Sequence, residues 1–177
     1  MVRRNLKAVS DDRLRLGTGH GSEYWFDLLD SAGAIEWRHS KIAAFLEDHE
    51  LRTWWAEGIA TSYEFARGLR NEGETVTATA SRLISANLDD VWHFIEDDAE
   101  RAAWLGEDWP ESAVREGRFV RLACPDGTDV TLRLTEADDD VRVLVQHAKL
   151  GGDEQREAMA KLWDAALERL EEVINFA

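Results

Sequence analysis

The sequence predicts an α+β fold, in which a bundle of three helices precedes an antiparallel sheet closed by a long C-terminal helix. Three observations predict it. Apolar residues recur at helical spacing in the first part of the chain, they alternate with a period of two between Gly117 and His147, and one apolar stripe runs along the final segment. The helical spacing of apolar residues ends in the stretch NEGETVTAT. We therefore expect two domains, residues 1–73 and 74–177, packed on each other.

Three helices are expected in the first domain. The first begins at Ser22, a residue that can cap it, and ends at Gly33. The second covers residues 35–49, and the third begins near Arg52. We interpret their apolar stripes as the core of a compact bundle. The stripes are formed by Tyr24, Trp25, Leu28 and Leu29, by Ile35, His39, Ile42, Ala43 and Leu46, and by Trp55, Ile59, Tyr63 and Ala66.

The second domain opens with residues 75–85, which are rich in Thr and Val and carry no helical stripe. A helix follows from Asn87, and a short second helix stops at Gly106. Three alternating strands are then joined by the turn sequences PDGT and ADDD. They cover residues 117–124, 129–136 and 141–147. Strands in this order predict an antiparallel meander with one buried face.

The final segment, DEQREAMAKLWDAALERLEEVINFA, predicts a helix of about 23 residues with acidic residues at its start. Its apolar stripe consists of Met159, Leu162, Trp163, Ala166, Leu170, Val173 and Ile174. Burying each large side chain stabilises the fold by about 1.5–3 kcal/mol. The helix must therefore lie on an apolar surface, and the inner face of the meander is the surface available.

Composition excludes several classes of function. The net charge is −15, and from Glu74 onward 11 Lys and Arg stand against 24 Asp and Glu, a net of −13. Because phosphate contacts dominate nucleic-acid affinity, this half is a poor candidate for binding nucleic acid. No apolar run approaches the roughly 20 residues that span a bilayer, so no membrane partner is expected. A single cysteine and an N-terminus without an apolar signal region favour a cytoplasmic protein.

Three patterns in the second domain resemble a known family. RLISANLDDVWHFI (residues 82–95) resembles its opening strand and Val-Trp helix, and DDAERAAWL (97–105) its second short helix. KLWDAALERLEEVI (161–174) resembles its closing helix. Together they resemble the START-like, helix-grip proteins of the polyketide-cyclase superfamily (SRPBCC), in the subgroup related to the activator of the Hsp90 ATPase. The resemblance covers about residues 75–177.

This resemblance implies a hydrophobic ligand held between the sheet and the long helix, or a protein partner. It implies no shared catalytic residue and no cofactor. The sequence departs from the family in one respect, since only about ten residues separate Leu105 from the first clear strand. We therefore expect one or two strands to be shortened or missing. A filled interior would favour a protein-binding function over a small-molecule one.

The first domain resembles a bacterial helical domain of unknown function that is found attached to such domains. The residues that carry this resemblance are HSKIAAFLEDHELRTWWAEGIATSYEFARGLR. The same stretch has two short helices with a tight connection, which is also typical of a helix-turn-helix. Against that alternative, the recognition helix would carry Trp54, Trp55, Glu57 and Glu64, with Arg52 as its only early basic residue.

Five residues of the second domain are candidates for ligand binding. The strand pattern points His147 to the inner face, as a core histidine or as a polar contact to a ligand. Trp92, Trp104 and Trp163 are interpreted first as core and second as cavity walls. Trp109 lies in the loop sequence GEDWPES, so we expect it to be an exposed or lid residue.

The sequence gives little support for a metal site, a reactive cysteine, a phosphate-binding loop or a serine hydrolase. No histidine pair has the spacing of a zinc hydrolase, so no metal site is expected. Cys124 lies on an apolar strand face and is interpreted as an inert buried thiol. GTGHG (residues 17–21) lacks the strand and the Lys-Ser/Thr of a phosphate loop. No G-x-S-x-G sequence is present, so a serine hydrolase would have no nucleophile.

The sequence therefore predicts a non-catalytic START-like protein that holds a hydrophobic small molecule. The first alternative is a protein-interaction module resembling the Hsp90 activators. An enzyme of the cyclase or isomerase kind would need a polar pair inside the cavity. A transcriptional regulator would place the helical bundle on DNA.

Overall fold

The computed structural model describes residues 10–70 and 75–177. These residues form two compact units. The first contains the described residues through Val76 together with Pro125–Gly127 and Leu150–Ala158, and the second contains Thr77–Cys124, Thr128–Lys149 and Met159–Ala177. The turn expected at Asn71 and Gly73, where the domain boundary was predicted, lies outside the described residues.

The first unit is built from α1 (Asp11–Thr18), α2 (Ser22–Ala32), a 3-10 turn (Ala34–Glu36), α3 (His39–Glu47) and α4 (Thr53–Ala66). Helix α2 ends at Gly33, whose φ of 78° is a left-handed conformation that glycine adopts without strain. The core residues come from all four helices. They include Leu14, Trp25, Leu29, Ile42, Leu46, Trp54, Ile59 and Tyr63.

Two expectations for this unit were wrong. Three helices were expected, and α1 is a fourth. Its sequence DDRLRLGT has no apolar stripe that would predict a helix, and only its Leu14 is buried. The expected helix over residues 35–49 is shorter and begins at His39, because a 3-10 turn follows Gly33. As a result Ile35 lies off the stripe and is 52% exposed. Two other residues of the predicted stripes, Tyr24 on α2 and Ala66 on α4, are exposed as well.

The second unit is a five-stranded sheet in the order β1-β5-β4-β3-β2. Its strands are β1 (Val76–Ile84), β2 (Glu111–Arg115), β3 (Phe119–Ala123), β4 (Asp129–Ala137) and β5 (Asp140–Leu150). Strands β2 to β5 pair antiparallel in succession. Helices α5 (Leu88–Glu96) and α6 (Asp98–Leu105) connect β1 to β2, and α7 (Asp153–Asn175) follows the sheet. The α+β prediction and the long C-terminal helix are confirmed.

Strand β2 was not predicted. Its five residues are largely exposed, so hydrophobic alternation could not reveal it. It is joined to β3 by a tight turn in which the Arg118 N–H donates to the Arg115 carbonyl oxygen at 2.9 Å. Gly117 supplies the left-handed conformation of that turn, with φ of 63°. The sheet therefore has a short strand where a gap was expected.

The inner face of the sheet carries the alternating apolar residues that the sequence predicted. These are Val120, Leu122, Val130, Leu132, Leu134, Val141, Val143 and Val145, all buried. From α7 the buried residues of this unit are Met159, Trp163, Ala166, Leu167 and Leu170. The core of the second unit thus lies between the sheet and the helix. No helix among the described residues is long and apolar enough to cross a membrane.

Candidate functional site

His147 lies on the buried face of the second unit. It is on β5, opposite Val130 of β4, and it shares its face with Val143 and Val145. None of its surface is exposed. The predicted inward orientation of His147 is therefore observed, and a polar ring is held in an otherwise apolar layer.

Two hydrogen bonds fix the state of this ring. The indole Nε1 of Trp163 lies 3.1 Å from Nδ1 of His147, and Oγ1 of Thr128 lies 2.8 Å from its Nε2. An indole N–H can only donate, so Nδ1 accepts and the ring proton is on Nε2. Nε2 then donates to the hydroxyl oxygen of Thr128. Both ring nitrogens are used, and the tautomer follows from the partners.

The ring is also held neutral. Burial lowers the pKa of His147 to about 4, although the nearby carboxylate of Asp129 acts in the opposite direction. A protonated ring would require Nδ1 to donate, and it faces a group that is itself a donor. At neutral pH, His147 thus has neither a free lone pair nor a labile charge for acid–base chemistry.

Trp109 completes this group. It was expected to be an exposed or a lid residue, and the expectation of exposure was wrong, since Trp109 is 2% exposed. Its ring centroid lies 6.0 Å from that of Trp163 and 6.3 Å from that of His147. The loop is held against the sheet because the Ala123 N–H donates to the Pro110 carbonyl oxygen at 3.0 Å. The polar loop sequence could not show that its one large apolar side chain points inward. We call Trp109, Thr128, His147 and Trp163 the His147 cluster.

Trp92 and Trp104 have partners of their own on α5. The indole of Trp92 donates to Glu96 Oε2 at 2.7 Å, and that of Trp104 donates to the Phe94 carbonyl oxygen at 2.8 Å. Both side chains are buried. Of the five predicted residues, the structure brings together Trp109, His147 and Trp163, and it places the other two in the α5–α6 helix pair.

The His147 cluster is packed against protein atoms. A side chain that lines a cavity of ligand size keeps surface that a water molecule inside the cavity can touch. Trp163 is 1% exposed and His147 is fully buried. Leu132 and Val145 on the inner face of the sheet and Leu170 on α7 are fully buried as well. These side chains therefore fill the space between the sheet and α7.

A second buried polar group, which the sequence did not reveal, lies in the first unit. His39 Nε2 is 2.5 Å from Glu57 Oε2 and its Nδ1 is 3.0 Å from Glu64 Oε1, while Arg70 Nε donates to the other oxygen of Glu64. Glu57 and Glu64 are seven residues apart on α4, so they share one face of it, and His39 fell on a predicted core stripe. Two acids spaced to share one face of a largely apolar helix were the signal that could have found this group.

The charges of this group balance. Burial alone would lower the pKa of His39, but the hydrogen bonds to Glu57 and Glu64 and their charges raise it to about 9. Burial would raise the pKa of Glu64, yet the hydrogen bonds from His39 and Arg70 keep it below its usual value. Two cations thus face two carboxylates. Among the described residues, no group of His, Cys, Asp and Glu could hold a metal ion.

The order of elements in the second unit decides its architecture. A strand and two short helices precede an antiparallel meander, and a long helix closes its inner face. The unit has a helix-grip-like fold.

Known structures with a similar fold include proteins of the expected kind. The Aha1 dimer from Colwellia psychrerythraea matches 56% of this chain and 96% of its own, at 13% identity and a TM-score of 0.49. An AHSA1-like protein from Rhizobium etli matches 57% of this chain and 82% of its own, at 16% identity and a TM-score of 0.47. A conserved protein of unknown function from Enterococcus faecalis matches 59% of this chain and 74% of its own, at 17% identity and a TM-score of 0.49.

These similarities concern the fold, and the expected resemblance to AHSA1-like proteins is found among them. No protein-family model and no curated protein matches the chain.

Proposed function

We propose that this protein is a cytoplasmic, non-catalytic binding module that acts on a protein partner through its surface. The observation that supports this function is the filled interior between the sheet and α7. In a START-like carrier, that interior would hold the ligand. Here it holds the side chains of Trp163 and His147, hydrogen-bonded to each other at 3.1 Å.

The state of the buried polar residues supports a non-catalytic function. A cyclase or isomerase needs a polar group that reaches its substrate, and a general base must come within about 2.6–3.2 Å of the proton it takes. Both nitrogens of His147 are engaged with Trp163 and Thr128. The buried ring of His39 is likewise engaged with two glutamates.

The burial of α4 argues against the DNA-binding alternative. A recognition helix must expose the side chains that read base edges in the major groove. In α4, Trp54, Trp55, Glu57 and Glu64 are all buried. The helix that would read DNA is therefore part of the core.

A hydrophobic small molecule remains the second candidate. The observation that favours it is the composition of the His147 cluster, in which one polar ring lies between two indoles. Apolar walls with a few placed polar groups are typical of ligand sites. For a ligand to enter, Trp163 or Trp109 would have to leave its present position.

Native mass spectrometry of gently purified protein separates the two candidates. We expect the mass of the chain alone and no binding of a hydrophobic fluorescent dye. Trp163→Ala is the positive control, since an apolar void of this size can accept a small apolar molecule. We expect the dye to bind that variant and not Trp37→Ala, which removes a half-buried indole outside the cluster. A co-purified apolar ligand in the wild-type protein would contradict the proposal.

A further inference from the structure

The outer face of the sheet carries an unusual set of charges for so acidic a chain. Arg121 on β3, Arg133 on β4 and Arg142 on β5 are exposed, and they alternate with the buried inner-face residues. Arg115 on β2 is exposed on the same side. We call these four residues the arginine face. The net charge of the whole chain is −15.

The strand register places three of these arginines on a diagonal. Phe119 is opposite Arg133, Arg121 is opposite Thr131, and Thr135 is opposite Arg142. Each arginine thus lies one strand over and one cross-strand row along from the next. Diagonal neighbours of this kind are about 7–8 Å apart. The three arginine positions therefore form a line that crosses β3, β4 and β5.

This line has no carboxylates of its own. Among residues 10–70 and 75–177, no ion pair joins Arg115, Arg121, Arg133 or Arg142 to an acid. The carboxylates on this face lie at its ends and have partners, since Asp129 pairs with Lys149 at 2.7 Å and Asp140 accepts from Ser85 at 2.8 Å. Like charges about 7–8 Å apart on an exposed face repel one another. An anionic partner would relieve that repulsion.

Apolar surface lies between the arginines. Phe119 and Leu144 flank Arg133 in one cross-strand row, and Arg115 is opposite Phe119. Both apolar side chains are half-buried, and the Arg133 guanidinium lies 5.4 Å from the centroid of the Phe119 ring. The arginine face therefore offers cations together with apolar contact, as a peptide requires.

Resting on the proposed function, we propose that the arginine face binds an extended acidic segment of a partner protein, with Asp or Glu at alternate positions. In an extended chain, residues two apart are about 6.6–6.8 Å apart, close to the diagonal spacing of the arginines. Arginine is suited to this because its planar guanidinium pairs with carboxylates through two hydrogen bonds. A nucleic acid fits less well, because its phosphates would continue past the patch into acidic surroundings.

The test uses the full chain and a labelled peptide with three Glu residues alternating with Val. We expect binding by fluorescence polarisation that weakens with added salt and is absent for the peptide with Gln in place of Glu. The variant Arg121→Gln/Arg133→Gln/Arg142→Gln should lose about tenfold or more in affinity. Arg13→Gln/Lys41→Gln/Lys161→Gln removes the same charge from exposed positions elsewhere, and it should stay within about twofold.

Equal losses in the two variants, or no peptide binding by the wild-type protein, would overturn the inference. Tighter binding of a 12-nucleotide single strand than of the peptide would also overturn it, in favour of nucleic acid. These outcomes are separate from the native mass spectrum. A ligand found inside the wild-type protein would contradict the proposed function. A native mass equal to that of the chain alone, together with no peptide binding, would contradict only the proposal for the arginine face.

Discussion

The indole N–H of Trp163 donates a hydrogen bond to Nδ1 of His147, and this bond joins the long C-terminal helix to strand β5 of the sheet. Both residues are buried, and each depends on the other for its polar group to be satisfied. The helix is therefore held to the sheet by a directional contact as well as by apolar packing.

Replacing Trp163 by Phe should destabilise the protein by about 1–3 kcal/mol more than replacing Trp92 by Phe. The first change leaves Nδ1 of His147 buried without a donor, whereas the second releases Glu96, which is exposed and can bind water. Urea unfolding of both variants measures the difference. Equal losses would mean that the hydrogen bond contributes little beyond the packing of the ring.

Below pH 6.5, His147 should make the protein less stable as the pH falls. The folded ring has a pKa of about 4 and the unfolded ring one near 6.5, so the unfolded state binds more protons between these values. The free energy of unfolding should therefore fall by up to about 3 kcal/mol over this interval. In His147→Gln, the free energy of unfolding should depend less on pH over this interval. An unchanged dependence in that variant would mean that the carboxylates cause the loss of stability in acid.

Above pH 6.5, His39 should give the opposite dependence. Its pKa is about 9 in the folded state, so the folded protein binds more protons than the unfolded one as the pH rises from 6.5 to 9. The free energy of unfolding should fall over this range, because the ion pairs with Glu57 and Glu64 are lost. His39→Gln should remove this slope, and the control His20→Gln, at an exposed position, should keep it.

Two helical glycines should respond in opposite ways to alanine. A Cβ at Gly17 would lie 2.1 Å from Cζ2 of the Trp55 ring, so Gly17→Ala should destabilise the protein by about 1–3 kcal/mol. At Gly58 the nearest atoms are 3.8 Å away, so Gly58→Ala should stabilise α4 by up to about 1 kcal/mol. Thermal unfolding of the two variants gives the signs. A stable Gly17→Ala protein would show that Trp55 can move.

Much of the second unit could be predicted from periodicity alone. Alternation along β3, β4 and β5 gave the buried face and the inward direction of His147, because a strand repeats every two residues. Strand β2 was not predicted, because both of its faces are largely exposed. A strand without a buried face leaves no hydrophobic pattern to read.

Partners far apart in the sequence could not be predicted. His39 and Glu64 are 25 residues apart, and Thr128 and His147 are 19 apart. Trp109 looked like a surface residue because its neighbours are polar. Its burial depends on where a short loop lies against β3, which no local pattern records.

The class of fold, the long helix and the buried face beneath it could be predicted from local periodicity, because apolar burial follows periods that can be counted along the chain. Whether the helix covers a pocket or a core could be seen only in three dimensions. That depends on side chains from β5, α7 and the loop before β2 meeting at one point, where Trp109, His147 and Trp163 fill the space. Packing of this kind depends on how the shapes of distant side chains fit together, and no local sequence pattern predicts that fit.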